Sequence, residues 1–575
     1  MPFLSEVDVY KLGLVLIVFV GAIGLHVLVN WTGELSLGHG AAVGFPAFVV
    51  AKLSFDHELS PIALLPIGVA AGALLGAAVG VTALRAKGIQ VALVTLAAAV
   101  AVDRYFFTKE WFVGPAAGAR VATPSIGPLE LRTSRSLFVV LVVVVALAVG
   151  AAWMLYHSRL GRGLLWVKAD PAAAAAFGVP VARYRVLAYT ISGAFAGLAG
   201  GLTAMWVQRL TAQAFPLTLS FSYLVIVALA GAGFLAGVAI AAGALEGGRQ
   251  FLPGADALIL YGAPIALILT LTRSPGGLNG LIARASTRLR RRRPDRAPVD
   301  AYAGHERGVE RTHRRGAGAP APGPILEVES ARVRFGGVQA LDGVSLSVVA
   351  GSVVGIIGPN GAGKTTLFDA ITGLTRLDAG TIRFGERDVT RLPAAARAGR
   401  GMGRSFQSLG LMTDESATCN VMAAQFLSAG YTNRDLAIRP WRWRAGERRI
   451  AARADGLLHG FGLNGNSAQP VGELSFATAR FVELAAVLVE EPALVLLDEP
   501  TTGLDSADVD VLRGVVRELR AVGTTVVVIA HDVGFVMDCC DDVYVLAEGK
   551  VLAHDRPEVI QRHPAVVAAY LGAPA

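Results

Sequence analysis

The strongest constraint on this chain is a series of long, uncharged apolar runs in its first half. The run from Leu12 to Val29 has 18 residues and no formal charge, enough for a helix to cross a bilayer. Only 17% of the 575 residues are charged, against about 25% in soluble domains, so a single soluble domain is excluded. We expect an all-α, polytopic membrane domain of about 8–10 spans over residues 1–284, with further apolar runs at about 40–53, 62–84, 88–102, 136–156, 186–207, 210–245 and 257–272.

The basic loops predict which parts of this domain face the cytoplasm. Loops with an excess of Lys and Arg remain on the cytoplasmic side, and residues 157–185 and 283–315 are such loops. An even number of spans must separate them, so we count residues 210–245 as two short spans and place the N-terminus outside. The Gly- and Ala-rich residues 193–201 predict close helix packing.

Residues 285–323 are expected to form a cytoplasmic linker. Residues 281–316 hold eleven Arg against four acidic residues, which is +7 of the chain's net charge of +8. A positive charge confined to one short segment beside a membrane indicates contact with lipid and argues against nucleic acid as a partner. Arg290–Arg293 fits either of two roles, binding of anionic headgroups or an ordinary positive-inside signal.

The second half, residues 324–575, is predicted to be an α/β domain. Strand-like runs such as SVVGIIG, ALVLLD and TTVVVIA alternate with helical segments, which is typical of a parallel sheet covered by helices. All three cysteines, Cys419, Cys539 and Cys540, lie in this half, and adjacent cysteines rarely form a disulfide. This half is therefore expected to be cytosolic and reduced.

A glycine-rich loop directly follows the strand SVVGIIG. Residues 358–365 match GxxxxGK[ST] in the strand, loop and helix context that this Walker A motif requires. In such a loop, backbone amides surround the β-phosphate, Lys364 neutralises phosphate oxygens and the Thr365 hydroxyl can bind Mg²⁺. We therefore predict ATP and Mg²⁺ as ligands, with the nucleotide bound by Gly358, Asn360, Gly361, Gly363, Lys364, Thr365 and Thr366.

Two acidic residues, Asp498 and Glu499, end a second apolar strand in the sequence ALVLLDEP. In a P-loop sheet this strand lies beside the first, which brings both carboxylates to the phosphates. Asp498 would hold Mg²⁺ through water, and Glu499 would polarise the water that attacks the γ-phosphate.

In this order the motifs resemble those of the ATPase subunits of ABC transporters. The resemblance implies five further residues: an aromatic that stacks on adenine, a Q-loop glutamine that senses the γ-phosphate and holds Mg²⁺, a signature serine, a D-loop aspartate and a switch histidine. In chain order these are Phe335, Gln407, Ser475, Asp505 and His531. The expected catalytic residues are Glu499, His531 and Gln407.

The signature segment, LSFAT at residues 474–478, departs from the LSGGQ pattern of that family. Phe476 and Ala477 replace glycines and Thr478 replaces glutamine. In the family this helix start caps the γ-phosphate bound by the opposite subunit, and Ala477 adds a Cβ atom where the backbone must approach it. We predict that this chain's own Walker A site is intact and that the site it completes in trans turns over slowly.

The membrane half resembles the Liv-type permease of branched-chain amino-acid importers. The stretches that carry the resemblance lie at residues 30–40, 84–97, 158–200 and 274–281. Within the third, Asp170 is a good N-cap, Pro171 a good first helical residue and Gly178 a good terminator, so residues 171–177 are predicted to be a short cytoplasmic helix. This helix resembles the importer coupling helix that docks on the ATPase.

Polar residues in the apolar runs are candidates for the substrate pathway. His26, Asn30, Ser36 and His39 are such residues, because polar groups in lipid usually face the bundle interior. The alternative is that they join helices to one another, which is the more frequent role of such residues.

We therefore expect a bacterial cell-membrane ABC importer subunit, a permease fused to its ATPase, that takes up branched-chain or other hydrophobic amino acids. The alternatives are an importer of urea or short amides, an ABC half-exporter, and a membrane protein that binds ATP without hydrolysis. The resemblance implies three partners: a second permease, a second ATPase and an extracytoplasmic solute-binding protein. A homodimer is compatible with this, but the altered signature favours a hetero-oligomer.

Overall fold

The computed structural model describes residues 4–86, 88–115, 118–252, 254, 265, 268, 276–282 and 323–571. The chain divides into two compact units, Met1–Lys168 with Ala182–Pro294 and Ala169–Val181 with Asp295–Ala575. Most of the apolar run predicted at 257–272 and of the linker predicted at 285–323 lies outside the described residues.

The first unit is helical, and the short Pro171–Ala176 helix within its span of sequence belongs to the second unit. In chain order the helices are α1 (Glu6–His26), α2 (His39–Asp56), α3 (Pro61–Ala83), α4 (Ile89–Tyr105), α5 (Glu110–Val113), α6 (Ser134–Tyr156), α7 (Arg159–Ala169), α8 (Pro171–Ala176), α9 (Val181–Val207), α10 (Thr218–Ala230), α11 (Ala236–Ala242) and α12 (Gly248–Phe251). Among the described residues of this unit, four two-residue strands accompany the helices: β1 (Ala119–Arg120), β2 (Ser125–Ile126), β3 (Leu129–Glu130) and β4 (Arg209–Leu210).

Five helical stretches of this unit are long and apolar enough to cross a membrane. Within the part of the chain that the structure describes, these are Glu6–Trp31, Pro61–Ala83, Ser134–Tyr156, Val181–Val207 and Ala212–Ala230. The apolar runs thus become helices because a helix pairs its own backbone groups where water cannot.

Two interruptions shape the helices of the membrane unit. α1 continues into a π-helical turn at Val27–Trp31. The long run at 210–245 is broken between α10 and α11, where Gly231 has a φ of +72° and Gly233 a φ of +117°. A residue with a side chain adopts such angles only with strain, so the chain leaves the helix here.

Glycines let α3 and α9 pack backbone against backbone. A Cβ atom on Gly72 would collide with the carbonyl oxygen of Gly193, and a Cβ atom on Gly193 would collide with that of Gly72. The same reciprocal fit joins Gly68 and Gly197. Small residues allow this approach in lipid, where dispersion contacts drive helix association.

The second unit is an α/β domain that contains two sheets. Its strands are β5 (Pro324–Phe335), β6 (Val338–Val349), β7 (Val353–Ile357), β8 (Ala379–Phe384), β9 (Arg387–Asp388), β10 (Met402–Arg404), β11 (Leu494–Asp498), β12 (Thr525–Ile529), β13 (Asp542–Ala547) and β14 (Lys550–Asp555). Its helices after α8 are α13 (Lys364–Thr372), α14 (Ala394–Ala398), α15 (Ala417–Ala424), α16 (Asp435–Ile438), α17 (Pro440–Gly460), α18 (Phe476–Leu488), α19 (Ser506–Ala521), α20 (Val533–Cys539), α21 (Pro557–Ile560) and α22 (Pro564–Leu571).

The order of the strands brings the two predicted phosphate motifs to one sheet edge. The larger sheet runs β10-β11-β12-β7-β13-β14, and all its pairs are parallel except β13 with β14. The smaller sheet, β6-β5-β8-β9, is antiparallel. The prediction that the strand ending at Asp498 lies beside the strand before the glycine-rich loop is wrong, because β12 pairs with both and separates β11 from β7. Both β7 and β11 are wholly buried. Loops that follow parallel strands meet at the same edge.

Candidate functional site

The glycine-rich loop joins the end of β7 to α13. Gly358 has a φ of +152° and Gly363 a φ of +96°. A Cβ atom at either residue would meet a backbone carbonyl oxygen, Leu546 for Gly358 and Ala340 for Gly363. Only glycine fits both positions, so the loop keeps its backbone amides next to the start of α13, where the helix dipole favours an anion.

Lys364, the first residue of α13, lies inside the loop that precedes it. Its Nζ atom donates to the carbonyl oxygens of Gly358 at 2.8 Å and Pro359 at 2.9 Å. Burial lowers the pKa of this ammonium, and the nearby carboxylates of Glu499 and Asp498 oppose that effect. The ammonium group is thus positioned at the loop, where it can exchange these carbonyl partners for phosphate oxygens.

The Asp498 carboxylate is buried at the end of β11 with one oxygen engaged and one free. Arg404 Nη2 donates to its Oδ2 at 3.2 Å, while its Oδ1 is buried without a hydrogen-bond partner in the described chain. Burial raises the pKa of Asp498, and the Arg404 guanidinium opposes the rise. A buried carboxylate oxygen without a partner is costly, and a hydrated Mg²⁺ ion would satisfy it.

Arg404 ties this aspartate to α13. Its Nη1 atom donates to Asp369 Oδ1 at 2.6 Å and to Thr372 Oγ1 at 3.1 Å. The side chain is 3% exposed and its guanidinium lies over the rings of Phe368 and Phe406. Sequence reasoning missed Arg404, although its place directly before Ser-Phe-Gln was a usable signal.

The three residues expected to be catalytic meet at the carboxylate of Glu499. His531 Nε2 lies 2.8 Å from Glu499 Oε1, and Gln407 Nε2 donates to Glu499 Oε2 at 3.2 Å. Thr502 Oγ1 is 3.4 Å from the same oxygen. Glu499 adopts a φ of +47°, a strained angle for a residue with a side chain, and the backbone bond from its N–H to Ile529 O at 2.8 Å helps to hold it there.

A buried ion pair on α18 forms hydrogen bonds with the backbone of the Q-loop, residues 405–410. Arg480 Nη1 donates to Glu483 Oε2 at 2.7 Å and to Phe406 O at 2.6 Å, and its Nη2 donates to Gln407 O at 3.1 Å. Glu483 Oε1 accepts from the N–H groups of Phe406 at 3.0 Å and Gly410 at 3.4 Å. Sequence reasoning missed this pair too, although two charges three residues apart in an otherwise apolar helix were a visible signal.

The signature and D-loop residues lie at exposed helix starts. Ser475 is the N-cap of α18, and its Oγ accepts from Thr478 N at 3.1 Å. Asp505 is the N-cap of α19 and accepts from Asp508 N at 2.9 Å. Ala477 is half-buried in the first turn of α18. Neither cap hydrogen-bonds to the Glu499 cluster, and Phe335, at the end of β5, is 54% exposed.

The segment Ala169–Val181 belongs to the second unit, together with the α/β domain. It contains α8, and the Asp170 carboxylate caps this helix by accepting from Ala172 N at 2.8 Å and Ala173 N at 3.0 Å. Gly178, which has a φ of +92°, lies in the turn that follows α8. The helix packs on α14, and Ala173 lies against Gly410 of the Q-loop.

The polar candidates in the membrane unit separate into two groups. His26 Nε2 lies 2.9 Å from Gly233 O at the break between α10 and α11, and Asn30 Nδ2 donates to His26 Nδ1 at 2.9 Å and to Val227 O at 3.0 Å. His26 thus contacts a carbonyl oxygen within the break, and Asn30 adds a second donor to Val227 O, which already accepts from Gly231 N. Ser36 and His39 line a partly open cavity between helices of this unit instead.

Comparison with known proteins adds family matches over both halves. The permease component of branched-chain amino acid transport systems matches residues 9–269, the ABC transporter family matches residues 341–502, and the branched-chain amino acid ATP-binding cassette transporter family matches residues 550–575. The fold and the site therefore define an ATPase joined to a membrane permease in one chain.

The relatives share the second half of the chain. The high-affinity branched-chain amino acid transport ATP-binding protein BraF of Pseudomonas aeruginosa is 35% identical over 250 residues, which cover 43% of this chain and 98% of BraF. The corresponding protein LivG of Escherichia coli is 33% identical with the same coverage. A solved nucleotide-free ATP-binding cassette of an ABC transporter is 30% identical with a TM-score of 0.39, and the match covers 43% of this chain and 99% of that chain.

The chain belongs to the family of branched-chain amino acid ABC transporters. It is a multi-pass membrane protein whose ATPase domain lies on the cytoplasmic side, and it binds ATP and couples ATP hydrolysis to transport. The predicted family and the predicted fold class, a helical permease followed by an ABC ATPase, are confirmed.

Proposed function

We propose that this chain imports branched-chain amino acids, with its own ATPase domain supplying the energy. The observation that carries the proposal is the presence, in one chain, of a branched-chain amino acid permease family and an ABC ATPase family. The names of the ATP-binding relatives BraF and LivG support the same substrate class.

In this proposal Glu499 is the base for the attacking water. Its two carboxylate oxygens face His531 and Gln407, which fix its direction without filling its acceptor capacity. His531 contacts one carboxylate oxygen of Glu499 and Gln407 contacts the other. A change at the second oxygen would therefore move Gln407 and with it the Q-loop. A base oriented by two fixed partners is pre-organised for proton transfer.

The nucleotide would be held by the loop residues that the sequence indicates. Lys364 and the amides of Gly361 and Gly363 would contact the phosphates, together with Asn360 within the loop and Thr366 in the first turn of α13. Phe335, exposed at the end of β5, is available to stack on the adenine ring. Its exposure supports this role, because a core aromatic would be buried.

The residues that would hold Mg²⁺ are Thr365, Gln407 and Asp498. The free, buried oxygen of Asp498 fits such an ion, as does the exposed Thr365 hydroxyl at the start of α13. A bound Mg²⁺ would neutralise charge on the phosphate oxygens. Arg404 would keep Asp498 ionised and hold it in one orientation.

Coupling would run through the contact between α8 and the Q-loop. Ala173 of α8 touches Gly410, Gly410 donates to Glu483, and Glu483 pairs with Arg480, which also binds the carbonyl of Gln407. A change at the Glu499 cluster would therefore reach α8 through packed and hydrogen-bonded groups. Asp170 and Gly178 would hold α8 as a rigid unit during this movement.

Importers of this family imply partner permease and ATPase subunits and a binding protein. Ser475, Ala477 and Asp505 lie at exposed helix starts, where a second ATPase would dock. We propose that this second ATPase is an unlike subunit, because the signature segment of this chain departs from the family pattern. The methyl group of Ala477 would face the partner's nucleotide, which predicts slow turnover at that site. Anionic membrane lipid would be a further partner, contacting the Arg-rich residues 285–323.

The test is uptake by cells that express this chain with its partner subunits. Labelled leucine, isoleucine and valine should accumulate, and labelled urea should not. Accumulation of urea without any of the three amino acids would overturn the substrate. Outward movement of preloaded substrate, with no uptake, would favour an exporter.

A further inference from the structure

A partly open cavity of about 40 Å³ lies between helices of the membrane unit. Six parts of the unit form its wall: the π-helical turn after α1, the segment around Ser36, the start of α2, the middle of α3, α4 and α9. Most of its wall is aliphatic, including Leu75, Val79, Ala99 and Val102. A cavity at the junction of several helices in a transporter is a natural place for cargo.

Most polar side chains in the wall form hydrogen bonds with backbone groups. His39 Nε2 lies 2.8 Å from Gly21 O. Thr95 Oγ1 donates to Ala92 O at 2.8 Å and accepts from Leu37 N at 2.9 Å. Tyr189 differs, because its hydroxyl is buried and has no hydrogen-bond partner in the described chain. The cavity therefore combines a largely apolar wall with the hydroxyl groups of Tyr189, Ser36 and Ser192, of which that of Tyr189 is buried without a partner in the described chain.

The volume fits a branched aliphatic group. Since one water-sized group needs roughly 10–15 Å³ of such space, the cavity admits about three groups of that size. An isopropyl or isobutyl group has three or four carbon atoms and no polar atom. Urea, which is polar at every edge, would leave its hydrogen bonds unmade against this wall.

We propose that this cavity receives the side chain of a branched-chain amino acid during its passage through the permease, and that the Tyr189 hydroxyl bonds the polar end of the same molecule. The inference rests on the proposed import function and names the part of the permease that selects the cargo. It adds Ala99 and Tyr189 to Ser36 and His39 as residues beside the cargo.

The test adds a small side-chain volume inside the cavity and compares the effect with that of the same substitution at an exposed position of the same helix. Ala99, on α4, is 2% exposed and lines the cavity, whereas Ala97, on the same helix, is exposed. Ala99→Val and Ala97→Val add the same two methyl groups and carry the same helix propensity change. Uptake of labelled leucine, isoleucine and valine is measured in cells with matched membrane levels of each variant.

Ala99→Val should lower uptake of leucine and isoleucine about 10-fold or more, since one methylene group in a fitted pocket changes selectivity by roughly 10–200-fold. Valine, with one carbon fewer, should lose less, and Ala97→Val should resemble the wild type. Tyr189→Phe should lower the uptake of leucine, isoleucine and valine by the same factor as one another, because the hydroxyl would bond a part that all three share. Equal losses for all three in Ala99→Val, or no difference between Ala99→Val and Ala97→Val, would overturn the cavity site. Failure of the wild type to take up any of them would overturn the import function instead.

Discussion

Replacing Glu483 by Gln should destabilise the ATPase domain far more than an equally conservative change in an exposed ion pair. Glu483 and Arg480 form an i,i+3 pair on α18 with side chains 1% and 5% exposed. The substitution keeps the shape of the side chain and removes its charge. Arg480 then remains buried as a cation without a counter-charge.

The size of the effect follows from the remaining partners of Arg480. Breaking a buried ion pair by neutralising one member costs about 3–5 kcal/mol. Arg480 keeps the carbonyl oxygens of Phe406 and Gln407, so we expect the lower end, about 3 kcal/mol. For a domain of this size each kcal/mol lowers the melting temperature by roughly 2–4 °C, which gives a decrease of about 6–12 °C.

The chain offers a matched control in the pair of Arg513 with Asp510. It has the same i,i+3 spacing on α19, but Asp510 is 70% exposed. Arg513 also keeps a second partner, Asp538, at 3.4 Å. Asp510→Asn should therefore change the free energy of unfolding by only about 0–1 kcal/mol.

Both variants are compared in urea unfolding of residues 323–571, a length at which relatives such as BraF exist as separate proteins. Trp441 and Trp443 provide the fluorescence signal. Hydrogen exchange at the amides of Phe406 and Gly410 gives a local readout, because Glu483 accepts from both. If Glu483→Gln and Asp510→Asn unfold within about 0.5 kcal/mol of each other, the pair does not hold the Q-loop as we argue.

Three further predictions concern the coupling segment, the signature and the metal carboxylate. Gly178→Ala should abolish most uptake, because Gly178 has a φ of +92° and a Cβ atom there would lie 2.8 Å from Leu427 Cδ1. The control is Gly399→Ala, because a Cβ atom on Gly399 would have no atom of another residue closer than 3.6 Å. Equal uptake by both variants would contradict the role of the turn. Ala477→Gly should raise the ATPase rate of the assembled transporter several-fold if the methyl group hinders the partner's nucleotide, and an unchanged rate would remove that explanation. Arg404→Met should raise the pKa of the Walker B aspartate further, since burial already raises it and the guanidinium opposes the rise; the carboxylate is needed ionised, so the acid limb of the pH–rate profile should move to higher pH, and an unmoved limb would show that Arg404 does not control this group.

Local signals in the sequence were sufficient for the short cytoplasmic helix. The structure gives α8 at Pro171–Ala176 with Asp170 as its N-cap, within a residue of the predicted bounds. The same is true of the glycine-rich loop, because Gly358 and Gly363 adopt positive φ angles that favour glycine. Capping and loop chemistry act over a few residues, so the sequence displays them directly.

Long-range partners could not be read in this way. His26 meets Gly233 and Asn30 meets Val227 across about two hundred residues, and nothing near His26 in the sequence marks the helix break that it supports. Residues 210–245, which we count as two short spans, hold the helices α10 and α11 of 13 and 7 residues, separated by the break at Gly231 and Gly233. These features depend on tertiary packing, which overrides local propensity.

The most direct test of the account is leucine uptake by cells in which Glu499 of this chain is replaced by Gln. The change removes the base and keeps the hydrogen-bonding shape beside His531 and Gln407. We predict that ATP still binds and that leucine accumulation falls to the level of cells without the transporter. Accumulation at the wild-type rate would contradict the claim that hydrolysis at this chain's own site drives import.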